Sequence, residues 1–76
     1  MEFVDRNSRD FWKVSPTGEH QADFKQGEIY ARQYLKSLSQ QEVTPYFLMS
    51  ILEQWPWSNL TSIEHGFSAE VSKRMR

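Results

Sequence analysis

The sequence predicts an all-α fold: a small domain of three helices, over about residues 17–39, 44–55 and 59–74, with an apolar N-terminal arm or short extra helix in front. Three observations carry this. Apolar residues recur at spacings of three and four in each segment, the pattern that puts them on one face of a helix. Proline beside a small hydroxyl residue, at Ser15-Pro16 and Thr44-Pro45, marks two starts, and Pro56 marks a stop. Finally, 76 residues hold one domain at most, and no internal repeat, low-complexity tract or linker divides residues 1–76.

In the first segment Ser15 is the expected cap and Pro16 the first helical residue, since a proline there forgoes an N–H that has no intrahelical partner. Glu19 falls in the first turn, where a carboxylate favours the positive end of the helix dipole. Phe24, Gly27, Ala31, Leu35 and Leu38 form the apolar stripe, with Tyr30 and Tyr34 at its edges. A glycine inside a helix costs about 1 kcal/mol relative to alanine. Gly27 therefore implies a close backbone contact there and at Ala31. The stretch SLSQQE, poor in apolar residues, reads as the connection.

Thr44 as cap, Pro45 behind it, and Val43 facing Leu48 as a hydrophobic staple give the second helix its start. Phe47, Leu48, Ile51, Leu52 and Trp55 make its stripe, and Pro56 ends it. The third helix is capped by Ser58 or by the capping box Thr61-Ser62-Ile63-Glu64, with a stripe of Leu60, Ile63, Phe67, Val71 and Met75. Lys73, Arg74 and Arg76 lie at its end, where cations suit the dipole without any ligand. Ahead of all three, Asn7 either caps a short helix with Asp10, or FWKV runs extended. Phe3, Val4, Phe11, Trp12 and Val14 are too apolar for a solvated tail and are expected across the helices or on another subunit.

Aromatic residues are 14% of the chain and the formal net charge is −1, so bulk electrostatics do not draw it to nucleic acid or an anionic membrane. With no cysteine there is no disulfide, thiolate nucleophile or Cys-based zinc site. The N-terminal stretch lacks a basic region followed by an apolar run, and no apolar stretch approaches the roughly 18 residues of a membrane span, so the expected location is cytoplasmic. Glu19-His20 and Glu64-His65 hold metal or acid–base vocabulary, yet adjacent residues diverge by about 100° on a helix and neither pair has a two-ligand spacing. There is no nucleophile elbow, phosphate loop or Walker-type lysine, so the expectation is no enzyme, no metal and no cofactor.

The functional expectation is a small non-catalytic protein–protein interaction module, homodimeric, of the bacterial or phage accessory type. Trp57, Trp12, Phe11, Phe3, Tyr46 and Met49 are its candidate partner-binding residues. Trp57 follows a helix-breaking proline and belongs to no stripe: it either folds back over the first helix as a capping ring or stands out as an anchor. Tyr46 and Met49 lie off the main stripe of the second helix, and a second apolar face suggests burial on two sides. The alternative is a helix-turn-helix-like DNA-binding regulator. Against it, the third helix opens on Leu60, Thr61, Ile63 and Glu64, and its positive charges come only at the far end. An arrangement uniting Arg6, Arg9 and the 73–76 tail would favour that alternative.

Overall fold

In the computed structural model, which describes residues 1–74, α1 spans His20–Ser39, α2 spans Phe47–Glu53 and α3 spans Ser62–Arg74, with no strand among the described residues. The predicted all-α architecture is present, with helix ends drawn in. Among the described residues no helix is long and apolar enough to cross a membrane. Met75 and Arg76, which the pattern assigns to the third stripe and the basic tail, lie outside the described residues.

Asp23 decides where α1 begins. Its carboxylate accepts the Thr17 hydroxyl at 2.7 Å and the Thr17 and Gly18 amides at 3.0 and 3.1 Å. Those donors are thereby taken before the helix starts, and Gly18 turns the chain at φ +91°, a left-handed value that only glycine adopts without strain. Ser15 and Pro16 consequently stand outside the helix, and Glu19 is its N-cap without a side-chain cap bond. At the other end the Glu42 amide reaches Ser37 O at 2.9 Å and the Gln41 amide reaches Leu38 O at 3.1 Å, the pairing of a Schellman motif. Gln41 holds its left-handed position, φ 60°, where glycine is the usual residue. We expect Gln41→Gly to stabilise the chain by about 1 kcal/mol in a urea melt.

The second helix is shorter than predicted at both ends. The amides of Phe47, Leu48 and Met49 bond three residues back, to Thr44, Pro45 and Tyr46, and those of Gln54 and Trp55 do likewise to Ile51 and Leu52. Such tight 3₁₀-type turns replace the α-helical ladder on either side of residues 47–53. The start of α3 is the capping box read from Thr61 and Glu64. Glu64 Oε1 accepts the Thr61 amide at 2.6 Å and the Thr61 hydroxyl at 2.8 Å, while Thr61 Oγ1 accepts the Ile63 amide at 3.3 Å.

Two glycines bring α1 and α3 together. A Cβ on Gly27 would collide with the backbone carbonyl oxygen of Ile63 and come within 2.7 Å of Phe67 N; a Cβ on Gly66 would collide with the carbonyl oxygen of Phe24. The close contact expected at Gly27 is thus reciprocal, each helix laying its backbone against the other's glycine. The buried face of α1 is rotated from the predicted stripe. Asp23, Gly27, Ala31 and Tyr34 are buried, whereas Phe24, Leu35 and Leu38 are only half-buried. Tyr34, expected at the edge, is in the core, and burial raises the pKa of its phenol.

Among the described residues α1 and α3 are the only helices whose Cα atoms approach within 8 Å. α2 stands farther off, and the arm fills the space. The arm is a hairpin-like turn rather than a short helix: Asp5 and Asp10 exchange amide hydrogen bonds at 2.7 and 2.9 Å, and the Lys13 amide reaches Phe3 O at 2.7 Å. It delivers Phe3 against Trp12 (5.3 Å between ring centroids) and Phe67 (6.0 Å), and Trp12 against Trp55 (5.3 Å) and Phe67 (5.1 Å). Two glutamines pin it. Gln54 Oε1 accepts the Phe11 amide at 2.8 Å while its Nε2 donates to Arg9 O at 2.9 Å; Gln33 makes the matching pair with Glu2 at 3.0 and 3.1 Å.

Two carboxylates make this fold acid-sensitive. Asp23 is held below the usual carboxylate range first by the Thr17 hydroxyl and amide and then by the Gly18 amide; Glu70 is lowered first by the Arg74 hydrogen bond and then by the Arg32 and Arg74 charges. In the unfolded chain both return to about 4. The folded pKa values are the lower ones, so their stabilisation is complete above that value and is lost as pH falls through the folded values. Melting temperature should therefore drop steeply in scans from pH 5 toward pH 2–3, and the drop should be shallower for Asp23→Asn, which starts lower at pH 7.

Candidate partner-binding surface

The six residues expected to meet a partner divide into two groups. Phe3 is 0% exposed and Trp12 7%, and Phe11 is half-buried with its ring edge-on to Phe47 at 5.4 Å. These three pack with the chain's own core, across the helices, which is the first of the two placements expected for the arm. The Cα atoms of α2 stay more than 8 Å from those of the α1–α3 pair, and the arm supplies a ring, Trp12, that packs against both Trp55 and Phe67. Trp12 is further tied by its indole Nε1–H, which donates to the buried Glu64 Oε2 at 2.8 Å. Glu64 thus caps α3 with one oxygen and closes this longer link with the other, a tie that local spacing does not reveal.

Trp57, Tyr46 and Met49 form the other group, exposed by 59%, 80% and 60%, and they are the large apolar side chains left outside the core among the described residues. Tyr46 and Met49 are three apart across the start of α2, so their side chains are neighbours on one side of it. Trp57 follows in the turn past the helix end. Its Nε1–H donates to Leu52 O at 2.8 Å, a carbonyl that also accepts the Trp55 amide at 3.2 Å, and its ring lies against Trp55 at 5.3 Å and 40°. It does not fold over α1. One of the ring's faces is thus supported and its position set, while most of its surface stays in solvent.

Other chemistry is sparse. His20 Nδ1 and the Ser62 hydroxyl share a hydrogen bond of 2.6 Å that joins the starts of α1 and α3. Glu64 faces the core while His65 is exposed, as adjacent helix residues should diverge. Among the described residues no three His, Asp or Glu side chains converge. The opening turn of α3, which a DNA-recognition helix would present to base edges, has Ile63 and Glu64 buried. Arg6 and Arg9 line a groove with Glu42 and Phe47, whereas Arg74 lines a different one with Arg32 and Lys36.

The exposed surface of this fold therefore offers apolar side chains on and just beyond α2, at Tyr46, Met49 and Trp57, and a separate line of cations along α1. No family model, curated protein or solved structure matches the chain.

Proposed function

We propose that the chain is a small, non-catalytic protein–protein interaction module that pairs with a second copy of itself through Tyr46, Met49 and Trp57. The observation that supports this reading is the concentration of exposed large apolar side chains on one segment, with the Trp57 ring already held by Leu52 O and Trp55. Tryptophan dominates binding hot spots, and a ring that is ordered beforehand loses little entropy on docking. Contact across a two-fold axis sets the same patch against itself, and a net charge of −1 creates little repulsion between copies. The patch is short, so the pairing is concentration-dependent.

Light scattering over a wide concentration range, at low and high salt, tests it. The expected result is a dimer that persists or strengthens in salt, because apolar contacts are not screened. Trp57→Ala should be monomeric at the same concentrations with its melting temperature little changed, since the ring is outside the core. A wild-type monomer at every concentration, or a dimer indifferent to Trp57→Ala, overturns the proposal.

A further inference from the structure

The charges of α1 and α3 are sorted by side. Of their four carboxylates, Asp23, Glu64 and Glu70 are buried and Glu28 is half-buried, whereas Lys25, Arg32, Lys36, Lys73 and Arg74 are all exposed. A chain of net charge −1 thus carries a local cationic face. That face has a shape. One shallow groove is lined by Phe24, Lys25 and Glu28, the next by Leu35, Lys36 and Arg74, and Arg32 lines both, so they run on as one channel along α1. The buried Glu70 carboxylate holds two of the cations in place, Arg74 Nε at 3.0 Å and Arg32 at 3.5 Å. Each guanidinium keeps further N–H donors for a second carboxylate.

We propose that this channel docks an acidic amphipathic helix of another protein, with its apolar residues on Phe24 and Leu35 and its carboxylates on Lys25, Arg32, Lys36 and Arg74. Lys25, Arg32 and Lys36 are spaced seven and four apart, so they follow one face of α1 and match carboxylates at the same spacing on a helix beside it. Phe24 and Leu35 stand about 16 Å apart along the axis, three turns, which are the anchor points of helix-in-groove recognition. A polyanionic nucleic acid fits less well. The apolar floor of Phe24 and Leu35 has no counterpart on a sugar–phosphate backbone. A second copy placing its α2 face here would set two different surfaces together, and its exposed Tyr46, Met49 and Trp57 bring no carboxylate to the cations. The channel is independent of the pairing through Trp57, and its test is run on the Trp57→Ala chain, so that failure of one reading leaves the other standing.

The probe is a fluorescent peptide of about 18 residues, roughly five turns, with leucine on one face and glutamate along both flanks. Anisotropy titration should show saturable binding that weakens as salt rises. Lys25 and Lys36 hold no ion pair among the described residues, so Lys25→Glu with Lys36→Glu should leave the fold intact. That double variant should bind the peptide at least about tenfold more weakly and gain affinity for a peptide with lysine in place of glutamate. Absence of binding, equal binding of a scrambled peptide of the same composition, or failure of the charge-swapped pair overturns the proposal. So does tighter binding of a DNA duplex, which would make the face a nucleic-acid surface.

Discussion

Gly27→Ala is expected to remove about 3 kcal/mol or more of stability, and Gly66→Ala a comparable amount, in urea or thermal melts. Taken alone, α1 would gain from the change, because alanine is favoured over glycine in a helix interior by about 1 kcal/mol. The crossing decides otherwise. The added methyl meets the Ile63 carbonyl in one case and the Phe24 carbonyl in the other, and neither is a flexible side chain that can swing aside. Relief requires the helices to separate, which loosens Ala31, Ile63 and Phe67 as well. Against a total of about 4–11 kcal/mol for a chain of this length, that is a large fraction. Because one displacement relieves both clashes, the double variant should lose less than the sum of the singles. Stability within about 1 kcal/mol of wild type for either single variant would contradict the reciprocal crossing.

Trp12→Ala should cost about 3–5 kcal/mol, since it empties the space between α2 and the α1–α3 pair and leaves Glu64 Oε2 buried without its donor. The two contributions separate by comparison with Trp55, which is also buried but whose Nε1–H has no hydrogen-bond partner among the described residues. Trp12→Phe and Trp55→Phe remove the same ring volume. Only the first orphans a carboxylate oxygen, so it should be the more destabilising by about 1–3 kcal/mol. Equal losses would mean that the Trp12–Glu64 bond contributes nothing beyond packing. Trp57→Ala, by contrast, tests association and not folding, and that separation between interior and exterior tryptophans bears on any functional study of this chain.

The arm is where the structure most changes the functional reading. Phe3 and Trp12 have the composition of binding anchors, yet they are spent on closing the core of a chain too short to close it with three helices alone. What stays exposed is smaller and better defined: the apolar Tyr46, Met49 and Trp57, and the cations along α1.

Features that depend on neighbours a few residues apart are readable from the amino-acid order. The three helices, the Thr61–Glu64 capping box, the burial of Trp55 beside Ile51 and the second apolar face at Tyr46 and Met49 all follow from spacing and local hydrogen-bonding capacity. Gly27 was legible too, because a residue that costs its helix stability needs a tertiary reason. Tertiary structure alone decided the rest. Whether Phe3, Trp12 and Tyr34 lie inside depends on the gap left by α2, and that Trp12 answers Glu64, or that Arg32 and Arg74 share Glu70, depends on which helices cross and at what height. Burial and charge pairing are properties of separation in space, and for residues so distant along the chain only the Gly27–Gly66 crossing and the wedged arm set that separation.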